Sequence, residues 1–147
     1  MGKDIFLYFG LGCRNVSKLY LPKNFDVREI LPHLESWSWL GDHHKYRNNY
    51  DYNKSILLVN RVDHYDNGFL LLKESPQLVS QVSVLNYEYY NNTDELKDHL
   101  VDNKEDIQCV VSNDDALDDA VSIGDAQFPK LWDYADGVDT MDFLTKL

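Results

Sequence analysis

Cysteine is scarce in this chain: Cys13 and Cys109 are the only two in 147 residues. A disulfide framework is therefore excluded, and a reducing compartment is the default. Four prolines, none adjacent to another, exclude a proline-rich linker. The apolar runs at 5–9, 56–59 and 69–72 fall far short of the roughly 20 residues that span a bilayer. The start, Met1-Gly2-Lys3-Asp4, carries a charge pair with no long apolar region, so it does not read as a secretion signal. Phe6 stands where N-myristoylation wants Ser or Thr. Basic residues are few, 14 against 25 acidic, for a net charge of −11. Nucleic acid and anionic membranes both need clustered Lys and Arg, so neither is an expected partner. Acids such as Asp114, Asp115, Asp118 and Asp119 read as solubilising charge on loops and exposed faces. A cytoplasmic protein is the resulting expectation.

Against these absences stands an ordinary globular composition, 44 % hydrophobic and 27 % charged, enough for a single domain over 1–147 with its own core. Short apolar segments alternate with helical patterns. Residues 5–9 read as a short strand or the tail of one. Residues 16–21 alternate in part and read as a strand closed by Pro22. Asp26 with Glu29 makes a capping box for a helix striped by Val27, Ile30, Leu31, Leu34 and Trp37, with a kink or restart at Pro32. Residues 43–62 read as a helix, with 56–59 as a strand in the alternative. Asp66-Asn67-Gly68 signals a turn before an apolar strand at 69–72. A longer alternating strand, of edge type, is expected over 79–90. Asn92 with Glu95 opens a helix over 93–104. Residues 107–111 read as a buried strand, 120–123 as another ending at Gly124, and 138–144 have helical spacing. The pattern predicts an α/β sandwich with a mixed, largely parallel sheet.

The segment Gly10-Leu11-Gly12-Cys13-Arg14 is the chemically suggestive one. Glycines permit a tight bend and close approach of a ligand to the main chain. A thiol at such a bend suits a nucleophile, because Arg14 and nearby amides can favour the thiolate and hold a developing oxyanion. Cys109, flanked by Ile107, Val110 and Val111, reads as core. His43, His44 and His64 have no metal-ligand spacing. Glu74 follows an apolar strand, where a carboxylate is placed to meet a ligand such as a ribose hydroxyl. Trp37, Trp39 and Trp132 read as core packing, with a groove-lining position as the alternative for Trp132.

Three segments, in order, resemble the aldehyde dehydrogenase superfamily from its catalytic cysteine onward, with the closest likeness to bacterial acyl-CoA reductases. The first is Gly10-Leu11-Gly12-Cys13 with the strand at 16–21. The second is Lys73-Glu74-Ser75-Pro76 with the strand and helix that follow. The third is Phe128-Pro129-Lys130-Leu131-Trp132-Asp133-Tyr134-Ala135-Asp136-Gly137 near the end. The resemblance implies a three-layer sandwich like the superfamily's catalytic domain, with Cys13 as the nucleophile and Glu74 at the nicotinamide ribose. It implies an acyl-CoA substrate, NADPH or NADH as cofactor of the complete enzyme, and self-association through the strand at 79–90. The likeness covers about the last third of such an enzyme. The dinucleotide-binding domain lies upstream of the matched part, so no cofactor is expected on this chain alone and the chain is expected to be inactive by itself. Leu11 and Gly12 depart from the family's Gly-Gln-x-Cys, and Ser75-Pro76-Gln77-Leu78 departs from its Glu-x-Phe-Gly-Pro. A different reading of the same composition is a small acidic, tyrosine-rich binding module of the immunity-protein type that masks a basic partner, with Cys13 buried and inert.

Overall fold

Leu71 and Leu72, neighbours with no exposed surface, fall on opposite faces of one strand, and each begins a different part of the core. They belong to β3 (Leu71–Glu74), which pairs parallel with β4 (Val84–Tyr90) and antiparallel with β2 (His64–Asp66). On its other side β4 runs parallel to β1 (Lys18–Pro22). The computed structural model, which describes residues 1–117 and 120–147, is thus α/β, with an open, mixed and mostly parallel sheet in the order β1-β4-β3-β2. Asp118 and Asp119 lie outside the described residues.

Register makes the two faces distinct. Leu72 is opposite Leu85 and packs with Phe6, Val27, Leu34 and Leu40. Leu71 is opposite Val84, and both pack against Tyr50 and Leu57 of helix α2 (His44–Val59). Truncating any one of these buried leucines to Ala costs about 2–5 kcal/mol by the usual cavity effect. Helix α3 (Thr93–Asp102) is capped by the Asn92 carboxamide, which accepts from the Glu95 amide at 2.8 Å, as its sequence predicts. No helix among the described residues is long and apolar enough to cross a membrane.

Several expectations are corrected. Residues 5–9 are not a strand: helix α1 spans Gly2–Phe6, and a 3-10 turn, Leu7–Gly10, follows. A short apolar run suits a buried helix as well as a strand, and Phe6 buries itself 5.5 Å from the ring of Trp37 and 5.8 Å from Phe69. The stripe beginning at Val27 is a 3-10 helix, Val27–Asp42, rather than an α-helix. Pro32 within it lacks an N–H and disfavours α geometry at the preceding residue. The helix read over 43–62 is α2, so 56–59 is helical. The strand at 69–72 begins two residues later and ends on Glu74 itself. The strand at 79–90 begins only at Val84, and it is interior, with β1 and β3 on either side. The buried run Val84, Leu85, Asn86 and Tyr87 is what a strand covered on both faces requires. Residues 107–111 stand outside the sheet. A single parallel bridge, Val111 to Val121, is what forms in place of the two strands expected there and at 120–123. Trp39 and Trp132 are exposed rather than in the core. Helix α4 (Thr140–Thr145) forms within the stretch whose spacing predicts a helix.

Candidate functional site

Cys13 occupies the second position of a turn closed by the Asn15 amide on the Gly12 carbonyl at 3.0 Å. Its thiol is exposed. The chain reaches this turn through three successive left-handed residues, Tyr8 (φ 56°), Phe9 (φ 60°) and Gly10 (φ 73°). Gly10 takes the left-handed backbone that favours glycine, though Tyr8 and Phe9 take it too, and Gly12 does not. Gly12 is required for space, since a Cβ there would lie 2.9 Å from Asn15 Oδ1.

That oxygen organises the turn. Asn15 Oδ1 accepts from the Gly12 amide at 2.7 Å, while Nδ2 donates to the carbonyls of Asp4, Ile5 and Leu7 at 3.0, 3.2 and 3.0 Å. These are carbonyls at the end of α1 that the short helix cannot itself satisfy. Asn15 therefore holds the cysteine turn against α1. Among the described residues, neither the Cys13 nor the Arg14 amide has a hydrogen-bond partner. Two free N–H groups thus flank the thiol.

Arg14 has a different task from the one expected. Its Nε donates to the Ala126 carbonyl at 2.6 Å, and its guanidinium lies 3.8 Å from Asp133. Asp4, almost fully buried, accepts from the Gly124 and Ala126 amides at 2.8 and 3.1 Å. Asp4 and Arg14 together clamp the late segment 124–133 beneath the turn.

Cys13 opens onto a cleft of about 620 Å³. One wall is the edge strand β1, and another comes from Leu96 and Leu100 of α3. A third wall is the extended segment of Ile107, Val110 and Val111. The lining mixes aliphatic side chains with polar and charged ones, Asp106 and Asp114 among them. Its polar end carries Lys18, which pairs with Glu88, and Tyr20, whose hydroxyl is 2.9 Å from His99 Nε2. Burial first, and then Glu88, push the Tyr20 phenol up to about 12, so it stays neutral. Cys109 is half-buried and lines this same cleft, which corrects its reading as core. Burial chiefly pushes its thiol above the ordinary range, and the Arg14 charge works against that.

Glu74 is the last residue of β3, exposed, and in register with Tyr87. It does not line the cleft onto which Cys13 opens, although Leu78, Val79 and Ser80, shortly after it, do. Buried Asn86 holds that segment, donating from Nδ2 to the carbonyls of Gln77 and Val79 at 3.0 and 3.1 Å. Asn15, Asp4 and Asn86 escape sequence reading because each bonds to backbone groups, which carry no residue-type signal. The one available hint is a polar residue in an otherwise apolar strand, as Asn86 is.

Fold and site together define an α/β chain that displays a free thiol, beside unpaired amides, on a cleft of mixed aliphatic and polar lining. No protein-family model, curated protein or solved structure matches this chain.

Proposed function

We propose that this chain is the catalytic-cysteine portion of an acyl-CoA reductase of the aldehyde dehydrogenase superfamily, with Cys13 as the acyl-accepting nucleophile. The observation that carries the reading is the exposed Cys13 thiol on a turn with two unpaired amides, lining a 620 Å³ cleft of mixed aliphatic and polar character. The mostly parallel sheet with separate packing on its two faces is consistent with a three-layer catalytic domain. In the acyl-transfer step the Cys13 thiolate attacks the thioester carbonyl. The amides of Cys13 and Arg14 receive the developing oxyanion, and coenzyme A leaves as its thiolate. The acyl chain lies along the aliphatic walls of the cleft.

A nicotinamide cofactor does not fit these residues as a whole. The exposed carboxylate of Glu74 suits a ribose hydroxyl, but it stands apart from the cleft, and the described residues offer no glycine-rich cradle for a pyrophosphate. The chemistry of this chain therefore stops at the acyl-enzyme, and reduction belongs to the complete enzyme. The rival reading, an acidic binding module, calls for a buried and inert Cys13, whereas the thiol is exposed.

Incubation with a saturated acyl-CoA, followed by intact mass and peptide mapping, tests the proposal. One acyl group is expected on Cys13 and none on Cys109, Cys13→Ser abolishes the adduct, and added NADPH gives no aldehyde. An unmodified chain, or acylation of surface lysines alone, overturns the reading.

A further inference from the structure

The cleft holds both cysteines of the chain. Cys13 is exposed, and Cys109 lies on the neighbouring wall with Sγ 4.0 Å from the carbonyl oxygen of Arg14, the residue next to Cys13. The two thiols are close enough for the charge of one to act on the other. The segment bearing Cys109 is outside the sheet. Its backbone anchors are the Val110 carbonyl and the Ser112 amide, both bonded to Val121 at 2.8 and 2.9 Å. A disulfide needs its Cα atoms within about 7 Å. The Asp106 amide and the Gln108 side chain tie the wall on the other side of Cys109, to the carbonyls of Asn103 and Tyr134 at 3.0 and 3.5 Å, and all these ties lie outside the sheet, so a shift of the wall toward the surface turn leaves the sheet undisturbed.

We propose that Cys13 and Cys109 are a peroxide-oxidised pair whose disulfide shuts the cleft. The exposed thiol meets the oxidant. The Cys13 thiolate attacks one peroxide oxygen, an S–O bond forms, the O–O bond breaks, and the second oxygen leaves as water after taking a proton. Cys13, oxidised by two electrons, is now a sulfenic acid. Cys109 then attacks the Cys13 sulfur. The S–S bond forms, the S–O bond breaks, and the hydroxyl departs as water with the Cys109 proton. The sum is two thiols and one hydrogen peroxide giving one disulfide and two waters. The wall bearing Cys109 is thereby tied to the turn, the Cys13 sulfur is withdrawn from attack, and a dithiol reductant restores it. Burial of Cys109 suits the resolving role, because it keeps that thiol from meeting the oxidant first. The inference rests on the placement of the two sulfurs and needs no acyl chemistry.

The test uses the full chain without acyl-CoA. It is treated with a small excess of hydrogen peroxide near neutral pH, then denatured, alkylated with iodoacetamide and mapped. The monomer should lose two hydrogens, refuse iodoacetamide at both cysteines and yield one peptide pair joining Cys13 to Cys109, all reversed by dithiothreitol. In Cys109→Ser, Cys13 should be trapped by dimedone, and its sulfinic form should rise about tenfold over wild type. Sulfinic or dimedone-labelled Cys13 beside a freely alkylated Cys109 in the wild-type chain would overturn the proposal, as would a disulfide found only between chains. The wild-type map decides the matter even if the serine variant does not fold. Because no thioester is present, this result is independent of whether Cys13 accepts an acyl group.

Discussion

Asn15 and Gly12 act as a unit. The carboxamide satisfies the end of α1 and the Gly12 amide together, and the space that lets it do so exists because residue 12 has no side chain. Gly12→Ala would press a methyl group against the acceptor of its own amide. The expected cost is about 1–3 kcal/mol, the range for an unsatisfied buried donor or a crowded site. Asn15→Ala removes the same bonds from the other side. The double variant should therefore be less destabilised than the sum of the two, by more than about 0.5 kcal/mol. Urea denaturation of the four proteins measures this directly. Strict additivity would mean that Gly12 and Asn15 hold the turn independently. Gly12→Ala should also change the rate at which iodoacetamide takes Cys13, since the turn that displays the thiol is disturbed.

At the scale of elements, helix α2 ends with an unfavourable residue in a favourable geometry. The Val62 amide bonds the Leu57 carbonyl at 2.9 Å and the Arg61 amide bonds that of Leu58 at 3.2 Å, so Arg61 takes the left-handed position usually given to glycine, with φ 55°. Arg61→Gly should raise stability by about 1 kcal/mol, the usual cost of a side chain in that conformation. A rise in thermal midpoint is the readout, and a fall would show that the Arg61 side chain contributes more than its backbone costs. The same helix is fastened to the β2 turn through Asp66, which accepts from the Tyr50 hydroxyl at 2.5 Å and pairs with Lys54 at 2.7 Å. Burial alone would raise the Asp66 carboxyl, but the bonds from Lys54, Tyr50 and the Gly68 amide outweigh it and hold the group below the usual carboxylate range. Bonding to Asp66 likewise raises the Lys54 ammonium above its ordinary range. A lowered carboxyl adds stability above its unfolded pKa, near 4, and that contribution fades as the pH falls through the folded value. Asp66→Asn should therefore cost roughly 1 kcal/mol at neutral pH, discounted for the exposure of Lys54. The gap to wild type should close in acid, as pH-dependent urea melts can show. A gap that persists unchanged in acid would assign the cost to packing.

Sequence patterns succeed where elements are long and locally signalled. Helices α2 and α3, the turn before β3 and the parallel character of the sheet were legible because periodicity, the Asn92 cap and Asp66-Asn67-Gly68 are local features. The failures are tertiary in origin. Residues 5–9 and 107–111 are apolar enough for strands, but whether they join a sheet depends on which neighbours reach them. The stretch 79–90 reads as an edge strand because polar residues alternate through it, yet Asn86, one of them, is buried and bonded to a loop. At the site, the sequence named the cysteine turn but not the asparagine that shapes it. It read Cys109 as core, because flanking residue types cannot say which side of a cleft wall a thiol faces.

For the molecule as a whole, stability is concentrated in the first hundred residues. Among the described residues the buried hydrophobic positions run from Ile5 to Leu96, with Ala126 the single addition later. Ala126 is held by Asp4 and Arg14, so the segment around it matters to the cysteine turn. Beyond that point most of the described residues are exposed, with Gln127, Asp133, Tyr134 and Asp139 half-buried. Leu131, Met141, Phe143, Leu144 and Leu147 are all more than half exposed, and α4 contributes no buried residue. Apolar side chains that remain in water contribute nothing to the transfer free energy of folding. Truncation after Gly137 should therefore change the free energy of unfolding by less than about 0.5 kcal/mol, the range of surface substitutions away from special features. The urea m-value should fall only slightly, because little surface is protected there. Truncation after Asn113 should behave otherwise. It removes Ala126 and Val121, strips Asp4 and Arg14 of their partners in 124–133, and frees the wall that carries Cys109, so it should cost several kcal/mol and disorder the cleft. If the shorter deletion destabilised the chain as much as the longer one, the last ten residues would be folding against the sheet in solution, and the open surface around α4 would have to be redrawn.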